Sequence, residues 1–365
     1  MPGTSFVDPT SLSNDTLRDL LMTTMQQLPW DGQFEVLQKY HDYPIVNQWF
    51  AKDRIAFDGG VSIVRQVQVT ETGGAHFTRP YTPEAPSVGD VQARLRAQWV
   101  QATHNYSISR QEMMRNRNKA KLIDLVKTRR IDCMMELANL LEYYAWQVPT
   151  SSNDDLAPMG IPYWLPPITS AQQTAGTYGH SGGNPSGFSD CGGIDASAAK
   201  NARWRTYVDA WTNSDGDIDD VDIKRITRML RRLKFNPPSI VESLTQAGLN
   251  NLRLYSVEKI IDSLEDRARK SEASLGGDVG KFANTTVIKG IPVLWSEILD
   301  ADTKNPMYAV NHDYFKPFVM EGDYLRETGP MNDREQHDVF TTFVDLQFNF
   351  ICTNRQRAGG QICRV

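Results

Sequence analysis

The sequence predicts an α+β chain, and three observations predict it. Residues 61–70 and 91–99 alternate apolar and polar side chains with period two, as half-buried strands with one wet face do. Residues 111–147 contain neither proline nor glycine and carry apolar side chains at helical spacing. From about residue 307 to 352 the chain reads as strands and turns, closing on Phe340, Phe343, Leu346, Phe348, Phe350 and Cys352.

Composition limits what such a chain can be. Of its 365 residues 40% are hydrophobic and 23% charged, enough apolar surface for a sizeable core and too much for a wholly disordered chain. No run approaches the ~18 apolar residues of a membrane helix, and Met1-Pro2-Gly3-Thr4-Ser5 lacks the regions of a signal peptide. A soluble protein made in a cytoplasm, without membrane contact, is expected. The formal net charge of -5 argues against a dedicated nucleic-acid binder. Cys133, Cys191, Cys352 and Cys363 form no CxxC or Cys/His ligand set and read as buried small hydrophobes.

Along the chain, the first fifty-odd residues read as an arm. Leu17, Leu20, Leu21, Met25 and Leu28 fall at helical spacing, and Trp30, Phe34, Tyr40, Tyr43, Trp49 and Phe50 follow without a clear period. So many large apolar groups need a surface, either the rest of this chain or a neighbouring copy. The two-stranded segment comes next. Val61, Ile63, Val67 and Val69 alternate with Ser62, Gln66, Gln68 and Thr70, interrupted by Arg65. After the tip Glu71-Thr72-Gly73-Gly74, Val91, Ala93, Leu95, Ala97 and Trp99 oppose Gln92, Arg94, Arg96 and Gln98. An isolated hairpin is marginal in water, so this one is expected to lean on something outside itself.

The helical pattern over 111–147 spans roughly 55 Å at 1.5 Å per residue. Leu122, Val126, Cys133, Leu137, Leu140 and Tyr144 mark its stripe, widened by Ile123, Ile131, Met134 and Leu141. Residues 149–203, rich in proline and then glycine, are expected to form a long loop with little secondary structure. A helix from Asp219-Asp220 carries the stripe Ile223, Ile226, Leu230 and Leu233, and another starts near Val257. Strands follow at 285–288 and 291–295. No repeat of fixed period is present.

Motifs for chemistry are scarce. The acidic run Asp215-Gly216-Asp217-Ile218-Asp219-Asp220 fails the calcium-loop spacing, since Trp211 and Asp222 fall at its first and twelfth positions. Capping of a helix N-terminus is the favoured reading. The helix that follows carries Lys224, Arg225, Arg228, Arg231, Arg232 and Lys234, read as a solvated face or one that pairs with a neighbour's acids rather than a DNA grip. No two of the six histidines are spaced for zinc. His312-Asp313 is a candidate base and orienter, yet no serine or cysteine lies in a nucleophile elbow. Neither a P-loop nor a dinucleotide fingerprint is present. No catalytic, metal or cofactor-binding residue is assigned, and no cofactor is expected.

The order of arm, long two-stranded loop, beam-like helix, mixed insertion and returning sheet resembles the major capsid protein of tailed double-stranded DNA bacteriophages, the Hong Kong 97-type fold. The residues that carry the resemblance are Tyr308-Ala309-Val310-Asn311-His312-Asp313, Phe315-Lys316-Pro317-Phe318, Glu321-Gly322-Asp323, Glu327-Thr328-Gly329-Pro330 and Gln336-His337-Asp338-Val339, with the aromatic strand through Phe350. The resemblance covers most of the chain. It implies an N-terminal arm at 1–55, an extended loop (E-loop) at 56–108, the P-domain spine helix at 109–160, an A-domain at 161–305, and P-domain strands with the C-terminus at 306–365.

By the same resemblance the protein is not an enzyme. It self-assembles into the icosahedral head shell around the genome, resides in the virion, and is made in the bacterial host cytoplasm. Its implied partners are itself in hexamers and pentamers, a separate scaffolding protein, a portal, a decoration protein, and packaged DNA touched non-specifically at the inner surface. The chain lacks a long charged prodomain before the arm, hence the separate scaffold, and no motif marks a Lys–Asn crosslink. Contacts between copies are expected at Val67, Val69, Gly73, Gly74, Arg94, Arg96 and Trp99 of the E-loop and at Leu17, Leu21, Trp30, Phe34 and Trp49 of the arm. Two alternatives stand beside this reading: an encapsulin-like compartment shell, and an enzyme with a glycine-rich lid at 176–193. A tail-associated virion protein is a weaker third.

Overall fold

Among the described residues fourteen strands follow in chain order: β1 (Ala56–Asp58), β2 (Ile63–Gln68), β3 (Gln92–Ala97), β4 (Val100–Ser109), β5 (Gly179–Gly182), β6 (Thr206–Ala210), β7 (Leu252–Ser256), β8 (Thr286–Ile288), β9 (Ile291–Trp295), β10 (Met307–Asn311), β11 (Phe315–Met320), β12 (Arg326–Asn332), β13 (Val339–Cys352) and β14 (Gly359–Cys363). The computed structural model describes residues 39–40, 42–51, 54–81, 89–115, 119–151, 154, 156–213, 217–235, 238–239, 251–273, 286–332 and 338–365. They belong to two compact units. The smaller draws on Thr103–Asn139 and Leu325–Asp345, and the larger on Tyr40–Ala102, Leu140–Tyr324 and Leu346–Val365.

The larger unit is built on a seven-stranded mixed sheet of order β5-β6-β14-β10-β7-β9-β8. Strands β6, β14 and β10 are buried at every residue, as strands covered on both faces must be. The helix Asp220–Leu233 covers β14: a Cβ on Gly360 would meet the Met229 sulfur at 3.1 Å. Its buried stripe is Ile226, Met229, Leu230 and Leu233. The acidic run before it starts the helix as expected. The Asp222 carboxylate accepts the Asp219 backbone N–H at 3.1 Å, and Asp219 and Asp220 both pair with Arg267 of the helix Glu258–Ala273. Positions 215 and 216 of that run lie outside the described residues.

The expected division at residue 305 cuts through this sheet. Strands β10 and β14, from the last sixty residues, pair with β7 and β6 from within 161–305. Backbone hydrogen bonding closes one sheet from distant segments, so a linear boundary does not separate two bodies there.

A second sheet in the larger unit pairs β1 parallel with β11 (Ala56↔Phe318) and β11 antiparallel with the later half of β13 (Phe315↔Cys352). Against it packs the short helix Pro44–Trp49. Trp49, expected to reach a neighbouring copy, is instead 1% exposed within its own chain. Its ring lies 4.6 Å from that of Phe350 and 6.0 Å, stacked, from that of Phe315. The apolar surface that an aromatic arm residue needs is supplied here by the chain's own strands.

The segment 149–203 is not the bare loop its composition suggests. It contains helical turns at Ile161–Trp164, Ser170–Thr174 and Ala199–Trp204 besides β5. Arg355, completely buried, staples it: Nε donates to the Trp164 carbonyl at 2.9 Å, Nη1 to that of Trp204 at 3.1 Å and Nη2 to that of Gly183 at 3.0 Å. A guanidinium has five donors in a fixed fork, so one side chain ties three stretches of backbone together. Such tethering is what a mobile lid at 176–193 would lack.

In the smaller unit, β12 pairs antiparallel with the first half of β13 (Arg326↔Asp345 through Asn332↔Phe340). The expected helix is present as Arg110–Arg115 and Lys119–Ala145. Within this unit Arg129 pairs with Glu112 at 2.8 Å and Arg130 with Glu327 at 2.6 Å. The buried stripe of the long helix is Leu125, Cys133, Leu137, Leu141 and Ala145, whereas Ile131 and Leu140 are exposed. Nearly every turn of this helix offers more than one apolar face, so spacing alone did not select the covered one.

Candidate assembly surfaces

The hairpin β2–β3 is the site on which the sequence placed most of its functional residues. Its register runs from Ile63↔Ala97 to Gln68↔Gln92. Val64, Gln66, Gln68, Gln92, Arg94 and Arg96 therefore line the exposed face. Ile63, Arg65, Val67, Ala93, Leu95 and Ala97 line the other. That inner face was expected to need a neighbour, and at its root the chain covers it itself. Leu95 and Ala97 are buried, and the Arg96 N–H donates to the Gly192 carbonyl at 2.8 Å. Gly192 has φ +65, and a Cβ there would sit 2.9 Å from Trp164 and 3.0 Å from Leu95, so only glycine fits between hairpin and loop.

Arg65, which interrupts the alternation in the sequence, anchors the same face. Its guanidinium pairs with Asp58 of β1 at 2.9 Å and lies 5.0 Å above the Phe318 ring of β11. Sequence spacing showed only a charge in an apolar row; its partners come from strands far along the chain. Beside the root lies a cavity of about 350 Å³ whose polar lining includes Arg96, Gln98, Asp154, Tyr163, Asp190 and Asn349.

Beyond the ladder the hairpin changes character. Val69 donates to Val91 at 3.0 Å and is buried. Residues 71–81 are all exposed and in no regular structure. Phe77 and Tyr81 are fully exposed there, two large aromatics on a polar tip that alternation did not flag. Gly73 and Gly74 lie in this tip, and Gly73 has φ +69 with nothing within 4 Å. Arg203 clips the base of the tip through Glu71.

Of the other expected contact residues, Arg94 and Arg96 are exposed and make no ion pair among the described residues, while Val67 and Trp99 are half-buried. The Trp99 indole N–H donates to the Gly60 carbonyl at 2.9 Å. Leu17, Leu21, Trp30 and Phe34 lie outside the described residues.

The groups that invited a catalytic reading are used otherwise. Both ring nitrogens of His312 are engaged inside the core, by Trp49 and Tyr255 at 2.8 Å each, and burial pulls its pKa down to about 3. Asp313 accepts from the Asn251 amide at 2.6 Å and so does not orient the imidazole. All four cysteines are buried and free, and burial pushes the Cys191 and Cys363 thiols up to about 11. Among the described residues no group of three or more His, Cys, Asp or Glu side chains is placed to hold a metal ion, and no helix is long and apolar enough to cross a membrane.

The fold has counterparts among solved structures. A chain of the cyanophage A-1(L) capsid asymmetric unit superimposes with a TM-score of 0.62 at 14% identity, covering 92% of this chain and 97% of that one. The chain has a Hong Kong 97-type capsid fold. A chain of the native GTA particle capsid gives 0.56 at 11% identity, over 91% of this chain and 93% of that one. One of the empty GTA particle capsid gives 0.53 at 11% identity, over 91% and 99%. No protein-family model and no curated protein sequence matches this chain.

Proposed function

We propose that this chain is the major capsid protein of a tailed double-stranded DNA bacteriophage, assembling into the icosahedral shell that encloses the genome. The observation that carries the reading is the superposition on a cyanophage capsid chain over nearly the full length of both chains. The exposed tip bearing Phe77 and Tyr81 supports it, because fully exposed large aromatics on a polar loop mark a surface that a partner covers. In this reading residues 56–108 form the E-loop, the long helix is the spine of the P-domain, and the seven-stranded sheet is the body of the A-domain with its borrowed strands β10 and β14. Residues 1–55 are the proposed arm, with Leu17, Leu21, Trp30 and Phe34 as its proposed contacts to neighbours. Hexamers and pentamers of the chain, a separate scaffolding protein, a portal, a decoration protein and packaged DNA complete the partner set.

Gel filtration followed by negative-stain imaging tests the proposal, with the chain expressed alone and with the neighbouring genes of its source. Closed shells, or hexamers and pentamers that close when a scaffold is added, are expected. A protein that stays monomeric in both preparations overturns it. Shells that carry protein cargo and never DNA place the chain with encapsulin-like compartments instead.

A further inference from the structure

The helix Asp220–Leu233 is charged unequally along its length. Arg228, Arg231, Arg232 and the following Lys234 are exposed, and none of them makes an ion pair among the described residues. Arg357 joins this end: its guanidinium donates to the Arg232 and Lys234 carbonyls and lies 4.8 Å from the Phe235 ring. At the other end of the helix stand exposed carboxylates. Asp217 precedes it, and the Ile218 N–H donates to Ser263 at 2.8 Å, bringing in the helix Glu258–Ala273 with Glu258 and Asp262 one turn apart. Asp217, Glu258 and Asp262 are exposed and make no ion pair among the described residues either. Fourteen residues of helix separate the two ends by about 20 Å.

We propose that the arginine-rich end of this helix docks on the acidic end of the next copy of the chain, closing a head-to-tail ring. The inference rests on the capsid reading and names a contact within it. A heterologous contact of this kind needs two different, complementary patches on one body, and a rotation that closes makes it a ring. Both patches belong to the larger unit, on helices tied together through Arg267 and Asp220. Like charges at positions 228, 231 and 232, three and four residues apart, repel within the free subunit, and a neighbour's carboxylates relieve that repulsion. A DNA backbone would account for the basic half alone and leave the acidic half unexplained.

The test uses the full chain under conditions in which the wild type assembles. Arg228→Glu with Arg231→Glu spares Arg232, whose guanidinium lies over the Tyr207 ring. This double variant is expected to raise the critical concentration for assembly about tenfold or more, as the loss of two or so exposed pairs does. The assembly of the wild type is expected to weaken with added salt over the range in which the screening length falls below about 10 Å. Adding Asp217→Arg and Asp262→Arg to the same chain should restore assembly, which separates a broken contact from a misfolded subunit. If the double variant assembles at the wild-type concentration, the inference is overturned while the capsid reading stands. Normal assembly with loss of retained DNA would assign the patch to nucleic acid, and also overturns it. Failure of the fourfold variant to recover, although it melts like the wild type, does so as well. A wild type that never assembles removes the capsid reading and this contact with it.

Discussion

The Trp49 indole N–H donates to Nδ1 of His312 at 2.8 Å, and that bond determines the tautomer of a buried imidazole. An indole nitrogen only donates, so Nδ1 is unprotonated; the neutral ring then carries its proton on Nε2 and donates it to the Tyr255 hydroxyl at 2.8 Å. The link spans 263 residues of sequence and ties the first described helix to the strand-rich C-terminal region.

Trp49→Phe should therefore cost more than its lost packing. It leaves Nδ1 buried without a donor, a loss of about 1–3 kcal/mol. Urea unfolding followed by tryptophan fluorescence and far-UV circular dichroism measures it. His312→Phe with Tyr255→Phe in the Trp49→Phe background should recover part of the loss, because all three linked polar groups are then gone.

Two buried groups give the stability opposite pH slopes. Burial, then the nearby Arg54 and Arg253, hold His312 down at about 3. The unfolded chain binds the extra proton below its ordinary value near 6.5, so this contribution is present above about 6.5 and is lost as pH falls toward 3. His312→Phe should flatten that acid-side loss in unfolding curves recorded between pH 3 and 7.

Glu142 acts in the opposite sense. Burial raises its carboxyl to about 7, against the lowering effect of N–H donors from Val46, Trp146 and Ile45. Its contribution is full below about 4.5 and is lost as pH rises through about 7, up to roughly 3 kcal/mol in all. Glu142→Gln keeps an oxygen for the Val46 N–H and removes the titration. The variant should lose the decline in stability between pH 4.5 and 7 while remaining folded at pH 8.

Gly192→Ala should undock the hairpin root. The added methyl meets Trp164 and Leu95 inside ordinary contact distance, on a backbone at φ +65, for a cost of about 1–3 kcal/mol. Limited proteolysis is expected to cut within 70–90 faster than in the wild type, with the seven-stranded sheet retaining its protection in hydrogen exchange.

The tip should behave in the reverse way. Phe77→Ser with Tyr81→Ser removes side chains that touch solvent, so the unfolding free energy of the subunit should barely move, within about 0.5 kcal/mol. Light scattering under assembly conditions should nonetheless show a clear loss. A shorter chain without residues 73–83 is expected to follow the same pattern.

Local patterns were enough for much of this molecule. Period-two alternation located both hairpin strands and even which face holds Arg94 and Arg96, because successive side chains on a strand must point to opposite sides. Freedom from proline and glycine marked the long helix, and the acidic run before Asp220 marked a helix start through its need for N-terminal acceptors. What covers each face was not legible, since coverage depends on segments hundreds of residues apart. Trp49 looked like a group awaiting a neighbour until Phe315, Phe350 and His312 were found around it. Arg65 looked like a break in a strand until Asp58 and Phe318 supplied its partners. Glycines at 176–193 looked like slack until Arg355 and the Gly192 contact showed them held. Sequence by itself determined the hairpin strands with their wet and dry faces, the long helix and the helix after Asp219, which follow from backbone periodicity. Only the tertiary structure decided which dry faces the chain covers for itself and which, as at Phe77 and Tyr81, it leaves exposed, because burial is a property of assembled surfaces and not of spacing.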